Sequence, residues 1–190
     1  THQQSEDRRG ESIARRLKLD VAGLVPSDRN VDGVVEMTLD ATVRFEAPLT
    51  EARLHTWHAL LFPTPRGGAY RAADSDPMRV VSGPLGRETV HFEAPDAARA
   101  RAEMHAFVEW FADAPAIDPL VFAGLAHLRF LTIHPFDDGN GRIGRAIVEL
   151  ALARGEGHAA RFYSVSAQIR EDRDAYYEIL ERTQRGQLDV

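Results

Sequence analysis

The stretch HPFDDGNGRIGR, at positions 134 to 145, places glycines, carboxylates, arginines and a histidine within one short run. Gly139 and Gly141 allow backbone conformations closed to other residues, so successive N–H groups can converge on one concavity at the start of a helix. The helix dipole adds partial positive charge there, and Arg142 and Arg145 are spaced to lie on one face of its first turn. A single phosphate would need only the backbone pocket, so two further guanidinium groups predict a polyphosphate ligand.

Two more side chains of this run fit the same chemistry. Asp138 comes directly before the glycines, where a bare carboxylate would repel phosphate unless a hard cation such as Mg²⁺ lay between them. We therefore expect Asp138 to hold a metal ion. His134 lies across the turn, and an imidazole with an ordinary pKa of about 6.5 suits a base that accepts a proton from a hydroxyl near neutral pH.

Three other interpretations of the same residues compete with a phosphate site. Gly139, Gly141 and Gly144 spell the GxGxxG fingerprint of dinucleotide-binding folds, but that fingerprint follows a strand, whereas here a helical pattern and a proline precede it. A calcium loop beginning at Asp138 would need glycine where Ile143 stands. A plain helix–helix connection would need few of these polar and glycine residues, so we favour the phosphate site.

Hydrophobic periodicity predicts that this turn connects two helices within a mostly helical chain. Asp118 and Pro119 suit the N-cap and first position of a helix that runs to His134 and is apolar almost all round, as expected of a buried central helix. The next helix begins near Asn140 and is expected to end at Gly155. Further helices are predicted over 31 to 45, from Thr50 to Pro63, from Asp96 onwards and over about 167 to 185.

One segment departs from the helical pattern. Residues 78 to 92 contain two short β-branched runs, MRVVS and RETVHF, separated by GPLG, which predicts a β-hairpin. The stretch 64 to 77, TPRGGAYRAADSDP, is rich in Pro, Gly and small polar residues and predicts a surface loop before the hairpin.

Length and composition exclude several classes of protein. The chain has 190 residues, a size usual for one domain, and no cysteine, which excludes disulfides and thiolate metal sites. Its net charge of -6 argues against a surface built for the phosphate backbone of nucleic acid. No apolar run approaches the roughly 20 residues of a membrane-spanning helix, and the polar first residues do not form a secretory signal. We therefore expect a cytoplasmic protein with no nucleic acid and no membrane among its partners.

The run at 134 to 145 matches, position for position, the HxFx(D/E)GNGRxxR motif of the Fic family, and the resemblance extends to the flanking helices, the hairpin and a late tyrosine pair. It covers residues from about 30 to 185 and is greatest to bacterial Fic proteins in which this core is one part of a longer polypeptide. The resemblance implies a mostly α fold, a Fic-type helical bundle with a small β-hairpin flap, as a single domain over residues 1 to 190. It also implies transfer of AMP from ATP, with Mg²⁺, to a Ser, Thr or Tyr hydroxyl of a target protein.

The resemblance assigns roles to the matched residues. His134 would be the general base, Asp138 would hold the Mg²⁺ that bridges the α- and β-phosphates, and Phe136 would fix the loop in the core. The catalytic set is His134, Asn140 and Arg142. The nucleotide-binding set is Asp138, Gly139, Asn140, Gly141, Arg142 on the β-phosphate, Arg145 toward the γ-phosphate, and Tyr176, Tyr177 and Gln184 near the nucleoside. The target-docking flap is Thr89, Val90, His91 and Phe92.

Many Fic proteins carry an inhibitory helix with the pattern (S/T)xxxE(G/N), whose glutamate pairs with the second arginine of the motif. Here only Thr42 with Glu46 and Thr89 with Glu93 have the right spacing, and alanine follows each glutamate. We therefore expect the chain to be a fragment, with the inhibitory helix or an antitoxin-like segment outside it and its activity deregulated. Whether the chain forms oligomers is left open.

Two alternatives to adenylyl transfer are carried forward. The same fold could move another group, such as UMP or phosphocholine, or remove AMP, although Asp138 and Asn140 favour nucleotidyl transfer. A nucleotide-binding regulatory module without turnover is the second alternative.

Histidines outside the motif are interpreted as structural. His55 and His58 are spaced as a metal pair on one helix, but no third ligand is evident, which favours two surface residues. His127 lies on the nearly apolar helix before the turn and is expected to be a hydrogen-bonded core residue.

Overall fold

The computed structural model of the chain describes residues 29–64, 67–72, 78–82, 87, 89–114, 116–159 and 164–184. Two strands, β1 (Arg79–Ser82) and β2 (Thr89–Glu93), form an antiparallel pair. The fold is therefore mostly α with a small β-hairpin, as predicted. The helices of the described ranges are α1 (Arg29–Val43), α2 (Glu51–Leu61), α3 (Ala97–Ala112), α4 (Pro119–Ile133), α5 (Asn140–Glu156), α6 (Val165–Glu171) and α7 (Arg173–Gln184).

Local capping signals set where three of these helices begin. The side chains of Thr50, Asp96 and Asp118 accept hydrogen bonds from first-turn N–H groups of α2, α3 and α4. Pro119 occupies the first turn of α4, where a missing N–H removes no helical hydrogen bond. The predicted starts of the three helices are therefore confirmed. They could be predicted because a capping side chain and the N–H groups it binds lie within a few residues of each other.

Helices α4 and α5 form the centre of the bundle. They pack against each other, α3 covers α4, and α1 and α2 pack on α5. Seven of the 15 residues of α4 are buried, whereas Leu120 and Val121 in its first turn are exposed. No helix among the described residues is both long enough and apolar enough to cross a membrane. The largest fully buried side chains include Trp57, Phe107, Phe111, Phe130, Phe136, Ile143 and Ile147.

The predicted end of α5 at Gly155 is wrong by a short distance. The helix continues to Glu156, and Gly157 caps it in the left-handed region with φ 72°. Gly155 serves packing instead, because a Cβ at this position would lie 2.4 Å from the Cβ of Pro119 at the start of α4. The glycine therefore lets the two central helices approach each other closely.

The predicted helix over 167 to 185 is wrong as a single element. Helices α6 and α7 meet at Asp172, whose carboxylate accepts a hydrogen bond from the side-chain amide of Gln168. Aspartate offers such alternatives to helical hydrogen bonding and is therefore weak in a helix interior. The predicted end of this helix at residue 185, and the GPLG turn at 83 to 86, lie outside the described residues.

Two histidines predicted to lie at the surface, His55 and His58, are partly or largely buried. His58 is 6% exposed, and its Nδ1 accepts a hydrogen bond from the backbone N–H of Gly68 at 2.9 Å. His55 is half-buried. The surface prediction is wrong for His58 because the loop after α2 folds back over it. His127 is 6% exposed and its Nε2 lies 2.8 Å from the hydroxyl of Tyr176, so the prediction of a hydrogen-bonded core histidine is confirmed.

Replacing Phe136 by alanine is expected to lower the free energy of unfolding by about 3–5 kcal/mol, because loss of a buried ring leaves a cavity. Phe136 is fully buried, whereas Val43 is 63% exposed, so Val43→Ala is the control, with an expected change below about 0.5 kcal/mol. Urea denaturation measures both values. Equal losses in the two variants would show that the Phe136 ring is not a core residue.

The free energy of unfolding is expected to fall as the pH drops below about 6.5, because burial lowers the pKa of both His58 and His127. In this window the unfolded chain binds protons that the folded chain does not, so acid favours unfolding. The loss continues until the pH has passed through the lowered pKa values of the folded state. Urea midpoints measured from pH 8 downwards test this, and His58→Gln should weaken the dependence. A midpoint that rises with acidification would contradict the expectation.

Candidate active site

Two left-handed residues shape the turn between α4 and α5. His134 closes α4 with φ 49° and ψ 59°, and among the described residues it alone combines a positive φ with a side chain other than hydrogen. Gly139 precedes α5 with φ 85° and ψ -4°, a conformation that favours glycine. The chain therefore reverses direction between two core helices, and the start of α5 and His134 border the same cavity.

The side chain of Asn140 holds this turn closed. Its Oδ1 accepts a hydrogen bond from the N–H of Phe136 at 3.1 Å, and its Nδ2 donates to the carbonyl of the same residue at 2.7 Å. Asn140 is 2% exposed and Phe136 is fully buried, so Phe136 fixes the loop in the core as expected. Because both ends of its amide are used within the turn, Asn140 can best contact a ligand through its backbone N–H.

Burial and three neighbouring groups set the protonation of His134. Its Nδ1 lies 3.1 Å from the carbonyl oxygen of Leu131, which can only accept, so Nδ1 carries the proton and Nε2 is the acceptor. Burial is the main cause that lowers the pKa of His134; the Leu131 hydrogen bond raises it, the Arg71 guanidinium lowers it and the Asp138 carboxylate raises it. The net lowering keeps the imidazole neutral near pH 7, the form that can accept a proton.

Arg71 clamps the backbone behind this histidine, although it lies in the predicted surface loop. The backbone N–H of Arg71 donates to the carbonyl of Pro135 at 2.9 Å. In its side chain, Nε donates to the carbonyl of His134 at 3.0 Å and a terminal nitrogen donates to the carbonyl of Pro95. Arg71 is 2% exposed, so the surface prediction is wrong at this residue. The sequence gives no signal for the contact, because Arg71 and His134 are 63 positions apart.

His58 supports the turn from α2, and sequence reasoning missed this role as well. Its ring stacks on that of Phe136, with centroids 4.2 Å apart and planes 7° apart. A histidine on a helix gives no local sign of which loop it will meet, since the loop is brought to it by the packing of α2 on α5.

The start of α5 opens into a cavity of about 330 Å³. No side chain of the described residues caps this helix, so the N–H groups of Asn140 and Gly141 are available to an anion. Arg142 and Arg145 line the same cavity and add two cationic groups. The structure therefore gathers the predicted phosphate-binding residues in one place, with His134 and Asp138 on its border.

Asp138, the carboxylate predicted to hold a cation, borders this cavity. Its side chain is 74% exposed, and its Oδ2 lies 3.5 Å from a terminal nitrogen of Arg142. No cluster of three or more His, Asp or Glu side chains able to hold a metal occurs in the described part of the chain. Mg²⁺ is often bound by one or two carboxylates together with water and substrate phosphates. Asp137 borders the same cavity, and one or two exposed carboxylates fit an ion that arrives with a nucleotide.

A larger cleft of about 1550 Å³ continues from the motif turn to α7. Tyr176, Tyr177 and Gln184 line it together with Arg145, so the expected nucleoside contacts border the same space as the expected phosphate contacts. Tyr177 is 52% exposed, and its ring meets that of Tyr176 edge-on at 5.2 Å. Gln184 reaches the body of the bundle by donating a hydrogen bond to the hydroxyl of Thr132 at 3.3 Å.

The register of the hairpin contains a bulge at His91. Val80 pairs with Phe92 and Val81 pairs with Val90, so His91 is an additional residue on β2. Such a bulge bends the strand and redirects a side chain. The imidazole of His91 accordingly lies on the cleft side of the hairpin.

Three of the expected flap residues divide between the cleft and the solvent. His91 and Phe92 line the cleft, and Nδ1 of His91 lies 2.9 Å from Oε2 of Glu181 on α7. Val90 is 46% exposed. Thr89 is the first residue of β2. The hairpin therefore borders the cleft on one side and presents part of a strand outwards on the other.

Comparison with known proteins places this turn and its helices in one family. Residues 48–152 match the Fic/DOC family. The protein adenylyltransferase Fic of Nematostella vectensis is 36% identical over 88 residues, which are 45% of this chain and 19% of that protein. A Fic family protein of Desulfovibrio desulfuricans G20 has a similar structure, with a TM-score of 0.63, 25% identity and coverage of 95% of this chain and 58% of that one.

A second solved structure has a similar fold. It is a Fic domain containing signaling protein from Bacteroides thetaiotaomicron VPI-5482, with a TM-score of 0.60, 25% identity and coverage of 90% of this chain and 63% of that one. The chain spans about a fifth of the length of the Nematostella relative. Because the family match covers more than half of the chain and includes the whole motif turn, this chain belongs to the Fic/DOC family.

Proposed function

We propose that this chain transfers AMP from ATP to a Ser, Thr or Tyr hydroxyl of a target protein and releases pyrophosphate. The proposal is carried by one arrangement: a neutral imidazole with Nε2 as acceptor borders a cavity that also receives an uncapped helix start and two arginines. Relatives that are named protein adenylyltransferases support the same class of reaction.

The triphosphate is expected to lie along the start of α5. The N–H groups of Asn140 and Gly141 would bind its oxygens, with Arg142 on the β-phosphate and Arg145 toward the γ-phosphate. These groups stabilise the negative charge that grows on pyrophosphate as it leaves. Mg²⁺, if bound at Asp138, would supply further neutralisation of phosphate charge.

His134 would take the proton of the target hydroxyl. As the hydroxyl oxygen attacks the α-phosphorus, its proton passes to Nε2, and the bond from the α-phosphorus to the oxygen bridging to the β-phosphate breaks. Pyrophosphate leaves with that electron pair. The Nδ1–H bond to the Leu131 carbonyl keeps the ring in place and stabilises the imidazolium that forms.

The remaining walls of the cleft would place the other two reaction components. Tyr176, Tyr177 and Gln184 line the side where the nucleoside would extend from the phosphates. The strand that contains Val90 is partly exposed and could align an extended target segment by strand addition. The nucleoside assignment follows from position in the cleft, and the target-docking assignment follows from the exposure of Val90.

Replacing His134 by alanine is expected to reduce label transfer by about 100-fold or more, because a positioned general base contributes 10²–10⁴. The assay uses ATP labelled at the α-phosphorus, Mg²⁺ and a protein extract as acceptor. His105→Ala, on the exposed face of α3, is the matched control and should transfer label at the rate of the original chain.

Other outcomes of this assay separate the alternatives. Transfer from γ-labelled ATP would indicate phosphorylation, and preferential transfer from labelled UTP would indicate uridylyl transfer. Binding of ATP without transfer in the original chain would contradict catalysis and favour a regulatory module. Equal activity of the His134 and His105 variants would remove the proposed base.

Replacing Arg71 by glutamine is expected to raise the pKa of His134, because a cation that disfavours the imidazolium is lost. The acid limb of the pH dependence of kcat should therefore move to higher pH. Arg71→Lys keeps the charge and should move the limb less, even if the altered clamp slows transfer. A limb that stays in place in Arg71→Gln while the rate falls would show that Arg71 acts on geometry alone.

A further inference from the structure

Helix α7 borders the cleft and contacts the body of the protein through several polar side chains. None of its residues is fully buried. Among the described residues, polar side chains connect it to neighbouring elements: Tyr176 to α4, Glu181 to β2 and Gln184 to α4. Its position therefore depends on these directed contacts together with the partial burial of Tyr176 and Leu180 against the core.

The contact of Tyr176 is the most deeply placed of the three. Its hydroxyl lies 2.8 Å from Nε2 of His127, and His127 is 6% exposed within α4. Burial raises the pKa of Tyr176 to about 12 and lowers the pKa of His127, so both groups are neutral near pH 7. A hydrogen bond between neutral partners in a buried setting is directional and little screened by water.

Gly144, inside the motif, makes room for this histidine. A Cβ on Gly144 would lie 3.0 Å from Nδ1 and 3.1 Å from Cε1 of His127, which is tighter than ordinary contact. The next residue is Arg145, which lines the cleft together with Tyr176. The packing of the motif helix thus sets where the His127 ring stands, and that ring meets the residue on α7.

We propose that His127 is a positioning residue for nucleotide binding, acting through Tyr176 to fix the α7 wall of the cleft. The inference rests on the proposed function, since it assumes that the cleft holds ATP. His127 itself does not border the cleft and has no part in proton transfer. Loss of its hydrogen bond should therefore weaken nucleotide binding and leave the chemical step nearly unchanged.

The test compares His127→Phe, Tyr176→Phe and the double variant. Each single variant should raise the KM for ATP, and the Kd for the non-hydrolysable analogue α,β-methylene ATP with Mg²⁺, by about threefold to tenfold, as expected for one lost hydrogen bond. The kcat of His127→Phe should stay within about twofold. Because both changes remove the same bond, the double variant should be no worse than either single one.

Two further variants keep the test specific. Gly144→Ala should also raise KM and Kd, because the new methyl group displaces the His127 ring. His105→Phe, the same substitution at an exposed position of α3, is the control and should change neither constant. If His127→Phe shows no cooperative thermal unfolding, Tyr176→Phe tests the same hydrogen bond from its more accessible end.

The outcomes distinguish this inference from the proposed function. An original chain that binds no analogue would overturn both. If the original chain binds the analogue but His127→Phe and Tyr176→Phe bind it equally well, only the positioning role is overturned. Additive effects in the double variant, or a fall in kcat at constant KM, would also overturn it.

Discussion

The structure depends on how one short turn between two buried helices is held in place. His134 has a left-handed backbone conformation that costs a residue with a side chain about 1–3 kcal/mol, and such a conformation persists only where its surroundings over-determine it. Here Asn140 closes the turn from within, and Arg71 binds the carbonyl of His134 from behind. The rest of the bundle supplies a rigid frame, because α4 and α5 pack against each other on either side of the turn.

The charge distribution around this turn explains how an acidic chain can offer an anion site. The net charge is -6, yet an uncapped helix start and two arginines meet at one cavity, with Asp138 as a carboxylate at its edge. A local arrangement of donors in a concave site acts on a ligand much more strongly than the distant surface charges, which salt screens. Arg71 adds a buried cation behind His134, which favours the neutral base before reaction and opposes its protonated form.

The elements that line the cleft differ in how deeply their side chains are buried. Its floor belongs to the central helices, whose core-facing apolar side chains are buried, whereas α7 and the hairpin border it through side chains that are at most partly buried. Elements with few buried apolar contacts are the first to open locally. The contacts of His91 with Glu181 and of His127 with Tyr176 therefore help to set the shape of the cleft.

The sequence by itself determined the features that rest on short-range physics. The capping residues of α2, α3 and α4, the hairpin and the motif turn were all predictable, because the groups that interact lie within a few positions of one another. The sequence also determined that the residues of the anion site lie close together, since they share one turn and one helix start. Gly155 shows the limit of this reasoning, because a glycine near a helix end predicts a cap, while its packing partner Pro119 is invisible locally.

Only the tertiary structure decided which distant groups act on this turn. Arg71 and His58 look like members of a polar loop and an exposed helix face, and their burial follows from elements that meet across the bundle. The same holds for the bulge that turns His91 to the cleft and for the contact of His127 with Tyr176. Local rules of periodicity and capping carry no information on such pairs, because the position of each partner depends on how whole helices pack.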